Sequence, residues 1–84
     1  MLQAYLDEKY SYISFDLWDL LAAEPLPRLM DIAFYVIRHR KTAAETTAEE
    51  IAAETVIDKE TAEKCLERLK EIRFEVIEGK PPGY

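Results

Sequence analysis

The sequence predicts a small α+β domain, mostly helical. Three observations carry this. Eighty-four residues is one domain's worth of chain. Apolar residues recur at helical spacing between clear cap and proline signals. One short segment near the C-terminus, "FEVIE", alternates as a strand does. At 49% hydrophobic and 33% charged the composition is that of a folded chain, so disorder is not the expectation. A single domain over 1–84 is expected, with residues 1–24 as an N-terminal extension and 25–84 as the core.

The first segment has two readings. Leu6, Tyr10, Ile13, Leu17 and Leu21 fall at helical spacing, so one long helix would put them on one side. Alternatively Ser14 is an N-cap with Asp16 in the first turn, the helix runs over 15–23, and "KYSYIS" is extended. The second is preferred, with helical structure reaching upstream kept open. "EPLP" then breaks the chain, since Pro25 and Pro27 suit a helix's first turn but not its interior. A helix follows over about 26–40. Its middle, "LMDIAFYVI", is apolar on nearly every face, as a helix buried from several sides is.

"KTAAETT" is a polar connection. Thr47 with Glu50 makes a capping box for a short helix in which Ile51 and Ala52 face inward. "TVID" turns the chain, and Asp58 caps a helix over about 59–72. Ala62, Cys65, Leu66, Leu69 and Ile72 form its apolar stripe. "GKPPG" is a turn after the strand, and Tyr84 could begin a return strand.

Charge and composition narrow the function. The net charge of −6 opposes non-specific attraction to DNA phosphates. Its distribution is uneven. Residues 1–24 hold five acids and one base, residues 25–44 four bases and one acid, residues 45–84 eleven acids and six bases. The basic segment ends in Arg38, His39, Arg40 and Lys41. No apolar run approaches the roughly 18 residues of a membrane span. The N-terminus has acids early and no apolar leader. One cysteine, Cys65, excludes an internal disulfide, and a cytoplasmic protein is expected. Asparagine is absent and Gln3 is the one glutamine, which points to a thermophile.

Chemistry is not expected. His39 has no second histidine or cysteine to share a metal. Ser11, Ser14 and Cys65 lack a base-and-orienter spacing around His39. With Gly79 and Gly83 as the two glycines there is no phosphate-cradling loop. Neither an enzyme nor a cofactor is implied. The aromatics Tyr5, Tyr10, Tyr12, Phe15 and Trp18 crowd one short segment. Core packing against the central helix is expected to take up Phe15 or Trp18. The surplus suggests a dimer interface formed by Tyr5, Tyr10, Tyr12 and Trp18.

The order helix, short helix, turn, longer helix, strand, glycine-proline turn is carried by "TAEEIAAETVIDKETAEKCLERLKEIRFEVIEG". It resembles the winged helix-turn-helix, and is most similar to MarR-like and TrmB-like transcriptional regulators. With the preceding helix the likeness spans about 59 residues. Ala52 stands where that family needs a small residue, and Ile57, Ala62 and Cys65 at its core positions. The resemblance implies a dimeric regulator that binds double-stranded DNA. The helix over 59–72 would lie in the major groove and a short β wing would touch the backbone. The matching exposed positions are Asp58, Lys59, Glu60, Glu63, Lys64 and Glu67, with Arg68 beside them. Lys80 in the wing and Arg38, Arg40 and Lys41 would contact phosphate. Against this, Glu60 with Lys64 is a favoured i,i+4 ion pair, and Glu67 reaches Lys70. A solvated, salt-bridged helix needs no DNA, and winged helices also serve as protein-protein modules. The family usually places glycine, at positive φ, where this chain has Val56 and Arg73.

Overall fold

The computed structural model describes residues 2–39 and 42–83. The order is β1 (Gln3–Leu6), β2 (Ser11–Ile13), α1 (Phe15–Ala23), α2 (Leu29–Arg38), α3 (Ala48–Glu54), α4 (Lys59–Ile72) and β3 (Glu75–Glu78). The α+β class, mostly helical, is as expected.

Residues 1–24 are where sequence and structure part. No helix reaches upstream of residue 15; Gln3 to Ile13 fold as an antiparallel hairpin. Its turn is made without glycine. The Asp7 carboxylate accepts from the Lys9 and Tyr10 backbone N–H groups at 2.9 and 2.7 Å. These two bonds, Tyr10 first, hold that carboxyl below its usual range. Leu6 and Ile13, which helical counting had aligned, instead belong to strands that put them on the core side.

Nor is this segment an added extension. β1 is the middle strand of the sheet, in the order β2-β1-β3. It runs antiparallel to β2 and parallel to β3, with Ala4 beside Ile13 on one side and Val76 on the other. Ala4 and Leu6 are buried in the common core. Alternation along the strands then turns Tyr5, Tyr12 and Ile77, which lie side by side in register, to the opposite face.

Ser14 caps α1 as expected, its Oγ accepting from Leu17 N–H at 3.3 Å. That cap sets the helix phase. Leu17 and Leu21, four residues apart, turn to the core. Phe15 and Trp18 are therefore carried to the surface, at 87% and 46% exposure, and neither fills the core as anticipated. α2 is the central helix: Leu29, Ile32, Ala33, Val36 and Ile37 are buried, and it meets α1, α4, β1 and β2. It begins at Leu29 rather than near 26, because Arg28 takes a left-handed conformation at φ 70° and turns the chain after Pro27.

The predicted capping box at Thr47 and Glu50 is complete, and Asp58 caps α4, which spans the expected residues. Between α3 and α4, Val56 does not take positive φ; among the described non-glycine residues only Arg28 and Arg73 do. Thr55 solves the turn another way. Its backbone is extended, and its hydroxyl donates to Ile51 O at 2.7 Å and accepts from Ile57 N–H at 3.1 Å. Arg73 does take the left-handed conformation of a helix C-cap, φ 56° and ψ 52°. The strand after α4 is present, but it pairs with β1. Among the described residues no return strand follows it to make an antiparallel wing.

Candidate interaction surfaces

α4 presents Lys59, Glu60, Glu63, Lys64 and Glu67 to solvent. The burial of Ala62, Cys65, Leu66 and Leu69 on the opposite face fixes that orientation. Each base on this helix stands against a carboxylate. Lys59 Nζ is 3.2 Å from Glu49 Oε1 on α3 and 3.9 Å from Glu63 Oε1. Lys64 Nζ is 3.5 Å from Glu60, the i,i+4 pair read from spacing, and Lys70 is 3.8 Å from Glu67. Arg68 is half-buried and donates from Nε to Glu24 Oε1 at 2.7 Å and from Nη1 to Glu71 at 2.9 Å. It thereby ties α4 to the end of α1. From Lys59 to Ile72 the chain carries four bases and four acids. Exposed pairs of this kind contribute little stability, but they leave the helix without a net positive potential.

The other bases expected at phosphates lie elsewhere. Arg38 ends α2 and donates from Nη1 to the Asp7 carbonyl at 3.4 Å. Lys80, exposed after β3, also acts on the Asp7 carboxylate, as does Arg38. These two are gathered at the β1–β2 turn. Arg40 and Lys41 fall outside the described residues.

Of the four aromatics expected at an interface, three stand on the β1–β2 hairpin and one on α1. Tyr5 and Tyr12 are cross-strand neighbours on the outer face of the sheet. Tyr10, 60% exposed, places its ring 6.4 Å from that of Tyr12. Trp18 stands on α1, one turn from Phe15. Phe15 was expected as a core candidate, and its exposure is a consequence of the Ser14 cap.

Two features escaped the sequence reading. The first is a polar cluster joining α2 to α3. The Tyr35 hydroxyl lies against the Glu54 carboxylate and 3.2 Å from that of Glu50, and the Tyr35 ring stacks on His39 at 4.1 Å. Burial, then the bonds to Glu54 and Glu50, push the Tyr35 pKa well above its ordinary value. A helical spacing of four from Tyr35 to His39 was visible, but the partners on α3 were not. The second is a groove of about 490 Å³ between α2 and the α3–α4 turn. Arg28, Asp31, Arg38 and the Tyr35–His39 pair line it from α2 and its ends, and Phe34, Ile51, Val56 and Ile57 are its apolar residues, with Thr55 between. Val56 on its rim is 91% exposed.

Cys65 is buried, as its place on the apolar stripe implies. It donates from Sγ to Pro27 O at 3.4 Å, and burial raises its pKa. Among the described residues no helix is long and apolar enough to cross a membrane, and no three metal-ligating side chains converge. Comparison with protein-family models, curated proteins and solved structures finds no match.

Proposed function

We propose that this chain is a protein-interaction module built on a helix-turn-helix frame, with α4 serving as a packed and solvated helix rather than a reader of bases. What carries the reading is the pairing of every base on α4 with a carboxylate, while large apolar side chains stand exposed on α1 and at the α3–α4 turn. A helix entering the major groove must bring uncompensated positive charge or base-reading donors to a polyanion. Here Glu60, Glu63 and Glu67 would meet the phosphates together with the lysines, and Arg68 would have to leave Glu24.

The second reading is the winged-helix regulator, a homodimer binding double-stranded DNA through Lys59, Lys64 and the basic end of α2. It is favoured by the succession of α3, the Thr55–Asp58 turn and the exposed, N-capped α4. Fluorescence anisotropy of a labelled mixed-sequence duplex separates the two. The interaction module gives no rise in anisotropy at low salt. Binding that falls steeply with added salt and weakens in Lys64→Ala would overturn it in favour of DNA.

A further inference from the structure

Among the described residues the exposed large hydrophobics are Tyr10, Phe15, Trp18 and Val56. Phe15 and Trp18, with exposed Ala22, make one stripe along α1 at spacings of three and seven. Helical geometry places Asp16 and Asp19 together on one flank of that stripe. Val56 stands on a different surface, the rim of the α2/α3 groove. In that groove the arginines lie at the two ends of α2, and Phe34 with the rim residue Val56 supplies the accessible apolar surface, Ile51 and Ile57 being buried beneath it.

The geometry points to head-to-tail self-association, in which the α1 stripe of one copy seats in the groove of a second copy. The reading of the chain as an interaction module is its premise; the inference names the partner. Phe15 and Trp18 would cover Phe34 and Val56. The aspartate flank would then face α2, where Arg28 and Arg38 stand one on each side of Asp31. Arg28, just before α2, is already paired with Asp31 at 3.3 Å. Arg38 holds the Asp7 carbonyl at 3.4 Å, long for a hydrogen bond, and a carboxylate would be a stronger acceptor. The volume of about 490 Å³ lies within the range of clefts that enclose a ligand, roughly 300–1,000 Å³.

Charge selects this arrangement over a symmetric one. Two α1 helices packed face to face would bring Asp16 and Asp19 of one copy toward the same two residues of the other, like charge against like. The groove offers the opposite sign. Because the two contact surfaces differ, each dimer keeps one free stripe and one free groove, so assembly continues past two copies or closes into a ring.

The test is sedimentation velocity of the full chain from micromolar to millimolar concentration. Two variants accompany the wild type: Phe15→Ser with Trp18→Ser, and Val56→Asp. All of these positions are exposed, and thermal melts confirm that both variants fold. The expected result is a wild-type mass that rises with concentration to dimer and beyond, while each variant alone stays monomeric. Mixed together, the two variants form one dimer and grow no further, since only one intact stripe and one intact groove remain in the mixture for each pair. A wild type that stays monomeric to millimolar concentration overturns the inference. So does a Val56→Asp variant that still dimerises, or a mixture that stays monomeric. None of these outcomes bears on duplex binding, by which the interaction-module reading is judged.

Discussion

Replacing Arg73 by glycine should stabilise this protein. Arg73 ends α4 at φ 56° and ψ 52°, with its backbone N–H donated to Leu69 O. An L-residue in this conformation costs about 1–2 kcal/mol, because Cβ crowds the following carbonyl. Glycine removes that cost but gives the unfolded chain more freedom to lose, an offset of about 0.5–1 kcal/mol. The side chain is exposed, at the edge of a separate cleft between α4 and β3 that Phe74 and Val76 also line, so little packing is forfeited. The net gain is about 1 kcal/mol. For a domain of 60–100 residues this raises Tm by about 4–8 °C. The assay is a thermal melt followed by circular dichroism, with Arg73→Ala as the control. Alanine keeps the Cβ and should not stabilise. An unchanged or lower Tm in Arg73→Gly would refute the backbone argument. An equal rise in Arg73→Ala would move the cause to the arginine side chain.

Two further outcomes are expected. Tyr35 has a folded pKa raised above its ordinary 10.0, so its contribution to stability is complete below about pH 10 and is lost as pH rises beyond it. Urea midpoints measured from pH 8 to 11 should fall less steeply in Tyr35→Phe than in the wild type, and parallel slopes would contradict the Tyr35–Glu54 contact. Cys65, buried beside Pro27, should react with a thiol reagent only as fast as the protein opens. Rapid labelling of folded protein would place the thiol at the surface.

Much of this structure was legible because its signals are local. The Thr47 and Glu50 capping box, the Asp58 cap and the 59–72 stripe all lie within one or two helical turns, and each appears where the sequence put it. The ion pairs of α4 follow from spacing alone. The resemblance implies positive φ at both Val56 and Arg73, and Arg73 takes it. At Val56, where a β-branched residue makes positive φ costly, the turn is reshaped instead, with the Thr55 hydroxyl supplying a local alternative.

The hairpin of residues 3–13 was half legible: "KYSYIS" was read as extended, as β2 is, but β1 was not read as a strand, for a physical reason. Leu6 and Ile13 fit a helical period as well as a strand face, and a turn built on the Asp7 carboxylate carries no glycine to announce it. What made β1 the middle strand was a partner 72 positions away: β3, whose parallel ladder with β1 no short-range pattern encodes.

The linear chain, then, was enough to determine four helices, the N-caps of three of them and the balance of charge along α4. Packing across the fold decided the rest. It made β1 the middle strand, drew Arg68 to Glu24, joined Tyr35 to Glu54, and turned Phe15 and Trp18 outward by setting the phase of α1. Which face of a helix is free to bind depends on what lies against the other face, and that is settled only when distant segments meet.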